Sequence, residues 1–256
     1  MLRLKKMTIA LIPLCVIVIF YSSKVFSYAF TEDYKNGVYW KNFPIEFNLY
    51  YTEGDDNELL RKLVEESITE WQNAIGKEVW SILKIEKTNN YSGNYIRWSN
   101  HFTEDTGYNS KNTLAVTIRE NYGTNFTRVM IILNGEISYL RQNWGNSLKA
   151  TLLHEIGHTI GLDHAETDSI MNANLSSLYR LTEDDINGAI EIVNDTLYKQ
   201  STNYISPYYS KKLDKKSLIA GCGSIENQKS NGSYDFVISL LFGILILFGL
   251  RTKELK

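Results

Sequence analysis

Residues 154–164 read His154-Glu155-Ile156-Gly157-His158-Thr159-Ile160-Gly161-Leu162-Asp163-His164, a run that holds three of the chain's four histidines. On a helix, His154 and His158 stand at i and i+4, so both imidazoles leave one face and can grip a single zinc ion. Glu155 lies one residue round from that face, off the metal but close enough to hold a water there and take its proton. Gly161 can adopt the positive φ that ends a helix, which lets the chain turn so that His164 returns as a third nitrogen ligand. Three protein ligands leave a fourth position for water, the make-up of a catalytic site.

A bare HExxH pattern arises by accident in many proteins; Gly161 and His164 at the offsets the geometry needs make accident a poor explanation. The residues just before it also suit a helix. Asn146 or Ser147 can cap it, and Leu148, Leu152, Ile156 and Ile160 recur as an apolar stripe that would anchor it in a core. Asp163 precedes the third ligand and reads as a helix-end or supporting residue.

With the turn Ser169-Ile170-Met171-Asn172 downstream, the chain resembles the metzincin metallopeptidases, whose extended motif is HExxHxxGxxH followed by a methionine turn. Gly157, the short interval from His164 to Met171 and the following Leu181-Thr182-Glu183-Asp184-Asp185-Ile186 make the likeness closest to the matrixins. The resemblance covers the catalytic domain. It implies that Met171 lies beneath the metal without ligating it, and that Asp184 and Asp185 tie the last helix to the rest of the domain. It implies one catalytic zinc ion and a polypeptide substrate. Asn172-Ala173 stand where matrixins usually carry Tyr-Pro, a departure that falls on the wall of the specificity pocket. No tyrosine is placed as an extra ligand of the astacin kind, and His101 by itself cannot build the additional zinc site of many matrixins, so it reads as a loop residue. Calcium near Glu104 and Asp105 is conceivable, but no spacing there is diagnostic.

Outside the motif, Pro44 to Tyr51 alternates as a strand does. Asp55 to Ile75 reads as a long helix, with Leu60, Leu63, Val64, Ile68, Trp71 and Ile75 at helical spacing and forming core. Trp80 to Glu86, Asn94 to Trp98, Leu114 to Arg119 and Arg128 to Leu133 read as strands, the last two separated by the turn-prone Asn121-Tyr122-Gly123-Thr124. The fold class is α+β: a metzincin-like catalytic domain with a twisted mixed sheet, a long helix, an active-site helix and a C-terminal helix. Thr113-Leu114-Ala115 resembles the edge strand beside which matrixins lay substrate. Leu114 and Ala115 are therefore candidates for main-chain contact with an extended peptide, the alternative being an ordinary core strand.

The chain's ends suggest where the domain works. Residues 1–29 read as a secretory signal: Arg3, Lys5 and Lys6 open it, Met7 to Tyr21 is apolar apart from Thr8, and Ser27-Tyr28-Ala29 offers a cleavage site. The alternative is an uncleaved anchor. Cleavage after Ala29 would remove Arg3, Lys5, Lys6 and Lys24, taking the formal net charge from −2 to −6. No basic stripe remains, and no nucleic-acid partner is expected. The boundaries expected are a domain over 30–199, a stalk over 200–235, a transmembrane or sorting helix over 236–250 and a basic cytoplasmic tail over 251–256. That tail resembles bacterial C-terminal sorting signals; a lipid-anchor signal and a plain tail anchor are the alternatives. Of two cysteines, Cys15 lies within the signal and Cys222 stands beside the anchor, as a processing or lipidation site or as a bystander.

The function expected is that of an exported zinc metalloendopeptidase (EC 3.4.24 type), at the cell surface or released from it, acting as a monomer on extracytoplasmic polypeptides. Matrixins often restrain themselves with a propeptide cysteine; no such segment is read here, so competence on export is expected. After a cleavage following Ala29, Phe30 would become a new N-terminus able to approach the acidic pair of the last helix, as in matrixins. Two other readings stay open: a zinc-stabilised surface binding module, in which Glu155 would be superfluous, and a zinc hydrolase of a cell-wall amide.

Overall fold

The structure is a computed structural model that describes residues 27–52, 54–174 and 176–208 in full and 215–222 as backbone, all within one compact unit. The segments 1–26, 236–250 and 251–256 read above as signal, apolar helix and basic end lie outside the described residues. Among those described, no helix is long and apolar enough to cross a membrane.

The chain runs β1 (Ala29–Phe30), α1 (Glu32–Lys35), β2 (Tyr39–Trp40), β3 (Ile45–Tyr51), α2 (Asn57–Ile75), β4 (Trp80–Lys87), β5 (Asn94–Ser99), α3 (Phe102–Thr106), β6 (Ala115–Tyr122), β7 (Asn125–Asn134) and α4 (Ser138–Arg141). After a 3-10 turn at Trp144–Asn146 come α5 (Ser147–Ile160), β8 (Leu162–Asp163), α6 (Glu183–Thr202) and β9 (Lys215–Cys222). One sheet has the order β4-β3-β5-β7-β6-β9, with β2 also pairing β7. Pairings among β3, β4, β5 and β7 are parallel, whereas β6 is antiparallel to both neighbours. This is the mixed sheet and set of helices expected of the α+β catalytic domain.

Local chemistry accounts for the boundaries. Helix α2 begins where the Asp56 carboxylate accepts the Leu59 amide, and it ends at Gly76 in the left-handed region. Its buried stripe of Leu60, Leu63, Val64, Ile68 and Trp71 packs into the main core, with Ile75 partly buried against it. Strand β7 carries Val129-Met130-Ile131-Ile132-Leu133, a continuous apolar run because both faces are covered. Val129, Ile131 and Leu133 join the main core, and Met130 and Ile132 join a second cluster with Tyr50, Tyr95 and Phe102. The expected turn tightens to Gly123 and Thr124, since Tyr122 pairs with Asn125.

Three tryptophans hold the motif helix against the core. The Trp71 indole N–H donates to the Leu153 carbonyl (3.0 Å), Trp40 to the Thr159 carbonyl (2.8 Å) and Trp80 to the Thr159 hydroxyl (2.8 Å). Burying an indole satisfies a large apolar area only if its N–H finds an acceptor, so these bonds set both the depth and the rotation of α5.

Candidate metal centre

Helix α5 begins differently from the sequence expectation. Asn146 takes a left-handed backbone and makes no side-chain cap; instead the Asn143 side-chain oxygen accepts the amides of Leu148 (3.0 Å) and Lys149 (3.1 Å). Ser147 turns its hydroxyl to the Tyr139 carbonyl. The helix ends as expected at Gly161, φ 116°, where a Cβ would meet Tyr34 Cβ at 3.0 Å. Turn and packing together demand glycine there.

His154, His158 and His164 present ring nitrogens that all lie within 4.8 Å of one another. Each helix imidazole is oriented by a carbonyl: His154 Nδ1 donates to the Ile170 carbonyl (2.6 Å), and His158 Nδ1 donates to that of Leu162 (2.7 Å). A carbonyl can only accept, so each Nδ1 carries the proton and each Nε2 carries a lone pair in the neutral ring. The two Nε2 atoms face each other at 3.0 Å. Two nitrogens each about 2.0–2.1 Å from one tetrahedral ion stand about 3.3 Å apart, so the spacing suits a shared cation.

Protonation is not what reconciles those lone pairs. Burial drives the His154 pKa down to about 3, with the nearby His164 adding to the effect. Burial also holds His158 well below the ordinary value, helped by His154 and His164, and it lowers His164, against which the Asp163 carboxylate pulls upward. Three neutral imidazoles meeting in a buried place are the donor set of a zinc ion.

These lowered values have a consequence in acid. Above about pH 6.5 both folded and unfolded chains carry the rings neutral, and nothing is lost. Below it the unfolded chain binds protons that the folded rings refuse, so stability falls with pH until the folded values are reached, about 3 for His154. The two fully buried rings together should cost the metal-free chain about 1 kcal/mol between pH 7 and pH 6. Thermal melts in chelator at the two pH values measure this; a higher melting temperature at pH 6 would contradict it.

Met171 is 1% exposed and closes the floor of the site: a Cβ added to Gly157, between the two helix ligands, would stand 2.5 Å from its sulfur. The loop that carries it is closed by the Ala165 amide on the Met171 carbonyl. The Asp185 carboxylate accepts the amides of Ile170 and Met171, each at 3.0 Å, and forms a capping box with Thr182. Asp184 accepts the Thr167 hydroxyl and the backbone amide of Ser27 (2.8 Å). The acidic pair therefore ties α6 to the methionine loop. Its contact with the start of the described chain comes from Ser27, whereas Phe30 pairs with Leu162 in the β1–β8 ladder.

Glu155 is fully buried, and its Oε2 accepts the Thr117 hydroxyl at 2.5 Å. Two residues along β6, Arg119 donates from Nε to Asp33 (2.8 Å) and from a terminal nitrogen to the His158 carbonyl (3.1 Å). Sequence reasoning missed Thr117, Arg119 and Asp33. The only signal was a polar residue at alternate positions of an otherwise buried strand, which ordinarily means a solvated face.

A pocket opens beside His154 and Glu155, with Leu114, Ala150, Ile170 and Leu178 as apolar lining. Thr151, Ser169 and Asn172 add polar groups, and Ala173 forms part of the wall. The Ser169 hydroxyl is buried and has no protein partner among the described residues. Leu114 thus reaches the site directly, and Ala115 opens β6 next to it. β6 has a strand on both sides, and Cys222 lies opposite Ala115 at the end of β9. His101 is exposed at the start of α3, and Asp105 is held by Arg97 and Ser99. Among the described residues, the three motif histidines are the group with metal-binding geometry.

A family model described as Matrixin matches residues 39–194, more than half of the chain. No curated protein matches it.

Proposed function

Because the chain belongs to the matrixin family of metallopeptidases, we propose that it is a zinc-dependent endopeptidase that cuts extended polypeptides outside the cytoplasm, with Glu155 as general base. The observation that carries this reading is that the buried Glu155 and His154, one of three neutral, convergent imidazoles, line one largely apolar pocket. Bound by His154, His158 and His164, zinc supplies Lewis acidity toward a carbonyl and lowers the pKa of water toward about 7.

The chain's own groups do the rest. The Glu155 carboxylate takes the proton of the attacking water and delivers it to the departing amine nitrogen. Thr117 keeps that carboxylate in one orientation by its hydroxyl bond to Oε2. The pocket walled by Leu114, Ala150, Ile170 and Leu178 receives the side chain next to the cut bond, and the buried Ser169 hydroxyl favours one with a polar group at its tip. The signal-like start and the basic-ended apolar tail support an extracytoplasmic site of action, tethered by the tail or released from it.

The test is cleavage of a mixed peptide library by the purified chain, before and after metal removal. Cleavage that stops in chelator and returns with one equivalent of zinc is expected. A zinc-loaded chain that cuts no peptide would overturn the proposal.

Thr117 gives a sharper check on the arrangement. Thr117→Val keeps the shape of the side chain and removes the hydroxyl, so a charged hydrogen bond worth about 1.5–3 kcal/mol is lost. The expected result is a fall of about tenfold or more in kcat with KM and zinc content little changed. Thr117→Ser should restore the rate. Equal kcat in the valine variant would show that the hydroxyl does not position the base.

A further inference from the structure

β9 lies where an extended polypeptide would have to lie to reach the site. It runs antiparallel to β6 in unbroken register, from Lys215 opposite Tyr122 to Cys222 opposite Ala115. β6 is the sheet strand tied to the chemistry: Thr117 bonds Glu155, Arg119 bonds the His158 carbonyl, and Leu114, just before its first residue, lines the pocket. The sheet's opposite edge, β4, is four strands from β6 in the order β4-β3-β5-β7-β6-β9. Main-chain pairing close to the metal centre is therefore available on the outer side of β6, and the chain's own residues 215–222 take it.

We infer that Lys215–Cys222 is a built-in competitor, a strand of the chain's own that occupies the peptide-docking edge of β6 in cis and must leave before a polypeptide can bind. The inference rests on the reading of this chain as an endopeptidase. Its direction fits: the strand advances along β6 from the far end and finishes beside the pocket, as the part of a substrate ahead of a cut bond would. Its tether fits as well. α6 ends at Thr202 and β9 begins at Lys215, so the strand stays covalently joined to the domain whether or not it is paired. A segment held by one edge ladder belongs to the low-stability end of a fold. Tethering nonetheless gives it an effective concentration in the millimolar range, enough to outcompete a peptide supplied at micromolar levels.

The test uses the full chain. Leu218→Pro/Ile219→Pro removes two consecutive strand amides, and at least one of two neighbouring amides points into the β6 ladder. The expected result is a fall of about tenfold or more in KM for an added peptide at similar kcat, set by that effective concentration. The β6 amides should also exchange hydrogen faster, and a synthetic peptide of residues 215–222 added in trans should raise KM again. The opposite variant, Tyr122→Cys/Lys215→Cys, joins two register partners by a disulfide and should silence cleavage until reductant is added.

If the proline variant does not fold, the disulfide variant still decides: equal activity oxidised and reduced overturns the inference. So does an unchanged KM in a folded proline variant. Release by the wild-type chain of a fragment beginning at Gly223, absent when Glu155 is replaced by glutamine, would also overturn it by making the strand a substrate. Zinc-loaded chains that all fail to cut, the proline variant included, count against the endopeptidase reading; chains that all cut alike count against this inference alone.

Discussion

Glu155→Gln should bring peptide cleavage down by on the order of a hundredfold or more while zinc content stays at one equivalent. The substitution is nearly isosteric, and the amide oxygen can still accept the Thr117 hydroxyl that holds Glu155 Oε2 at 2.5 Å. His154 and His158 are oriented through their Nδ1 atoms by the carbonyls of Ile170 and Leu162. The metal site should therefore survive. A neutral amide is also cheaper to bury than a carboxylate, so a fully buried position 155 gives no reason for the fold to weaken. What disappears is a group able to take a proton from water and return it to the amine, and a hundredfold loss corresponds to about 2.7 kcal/mol of barrier. Melting temperature and zinc stoichiometry check the first half, and single-turnover cleavage the second. Turnover retained in a protein free of wild-type contamination would remove Glu155 from its role.

Much of this arrangement was legible in the sequence because it is local. The i, i+4 histidines, the glycine that ends their helix and the apolar stripe of α2 follow from helix periodicity and from the freedom of one glycine, and the structure places them so. Capping was less legible. Asn146 is the right residue type at the right place, but positive φ at Asn143, Gly145 and Asn146, three of four consecutive residues, lets Asn143 reach forward to the first amides instead. Contacts between distant segments left no periodic mark. Nothing near Thr117 announces that its hydroxyl will meet a glutamate 38 residues later, and nothing in Lys215–Cys222 announces a partner in β6. The resemblance to matrixins supplied the docking role of Leu114 and Ala115, but only the strand order reveals what lies next to them.

Arg119→Met should be the most damaging single change away from the metal ligands. Arg119 is 4% exposed and Asp33 is 1% exposed, and their Nε–Oδ2 contact is 2.8 Å. Asp33 also accepts the Tyr34 amide and the Thr31 hydroxyl, so its carboxylate is held at the place where the β1–α1 segment meets the metal helix. Methionine fills most of the space left by the arginine stem and supplies no charge. The carboxylate then stays buried without its cation, a loss of about 3–5 kcal/mol, a large part of the 5–15 kcal/mol that typically holds a domain together. A fall in melting temperature on the order of 10 °C is expected. The double variant Asp33→Asn/Arg119→Met should recover most of it, because the cost lies in the orphaned charge more than in the missing attraction. One part should not recover. The Arg119 bond to the His158 carbonyl steadies the last turn before Gly161, where the chain swings round to bring His164 to the site. Both variants should therefore hold zinc more weakly than the wild type, and competition with a chelator measures this. A double variant as unstable as the single one would mean that arginine's packing matters more than its charge, and unchanged zinc affinity would separate the buried pair from the metal centre altogether.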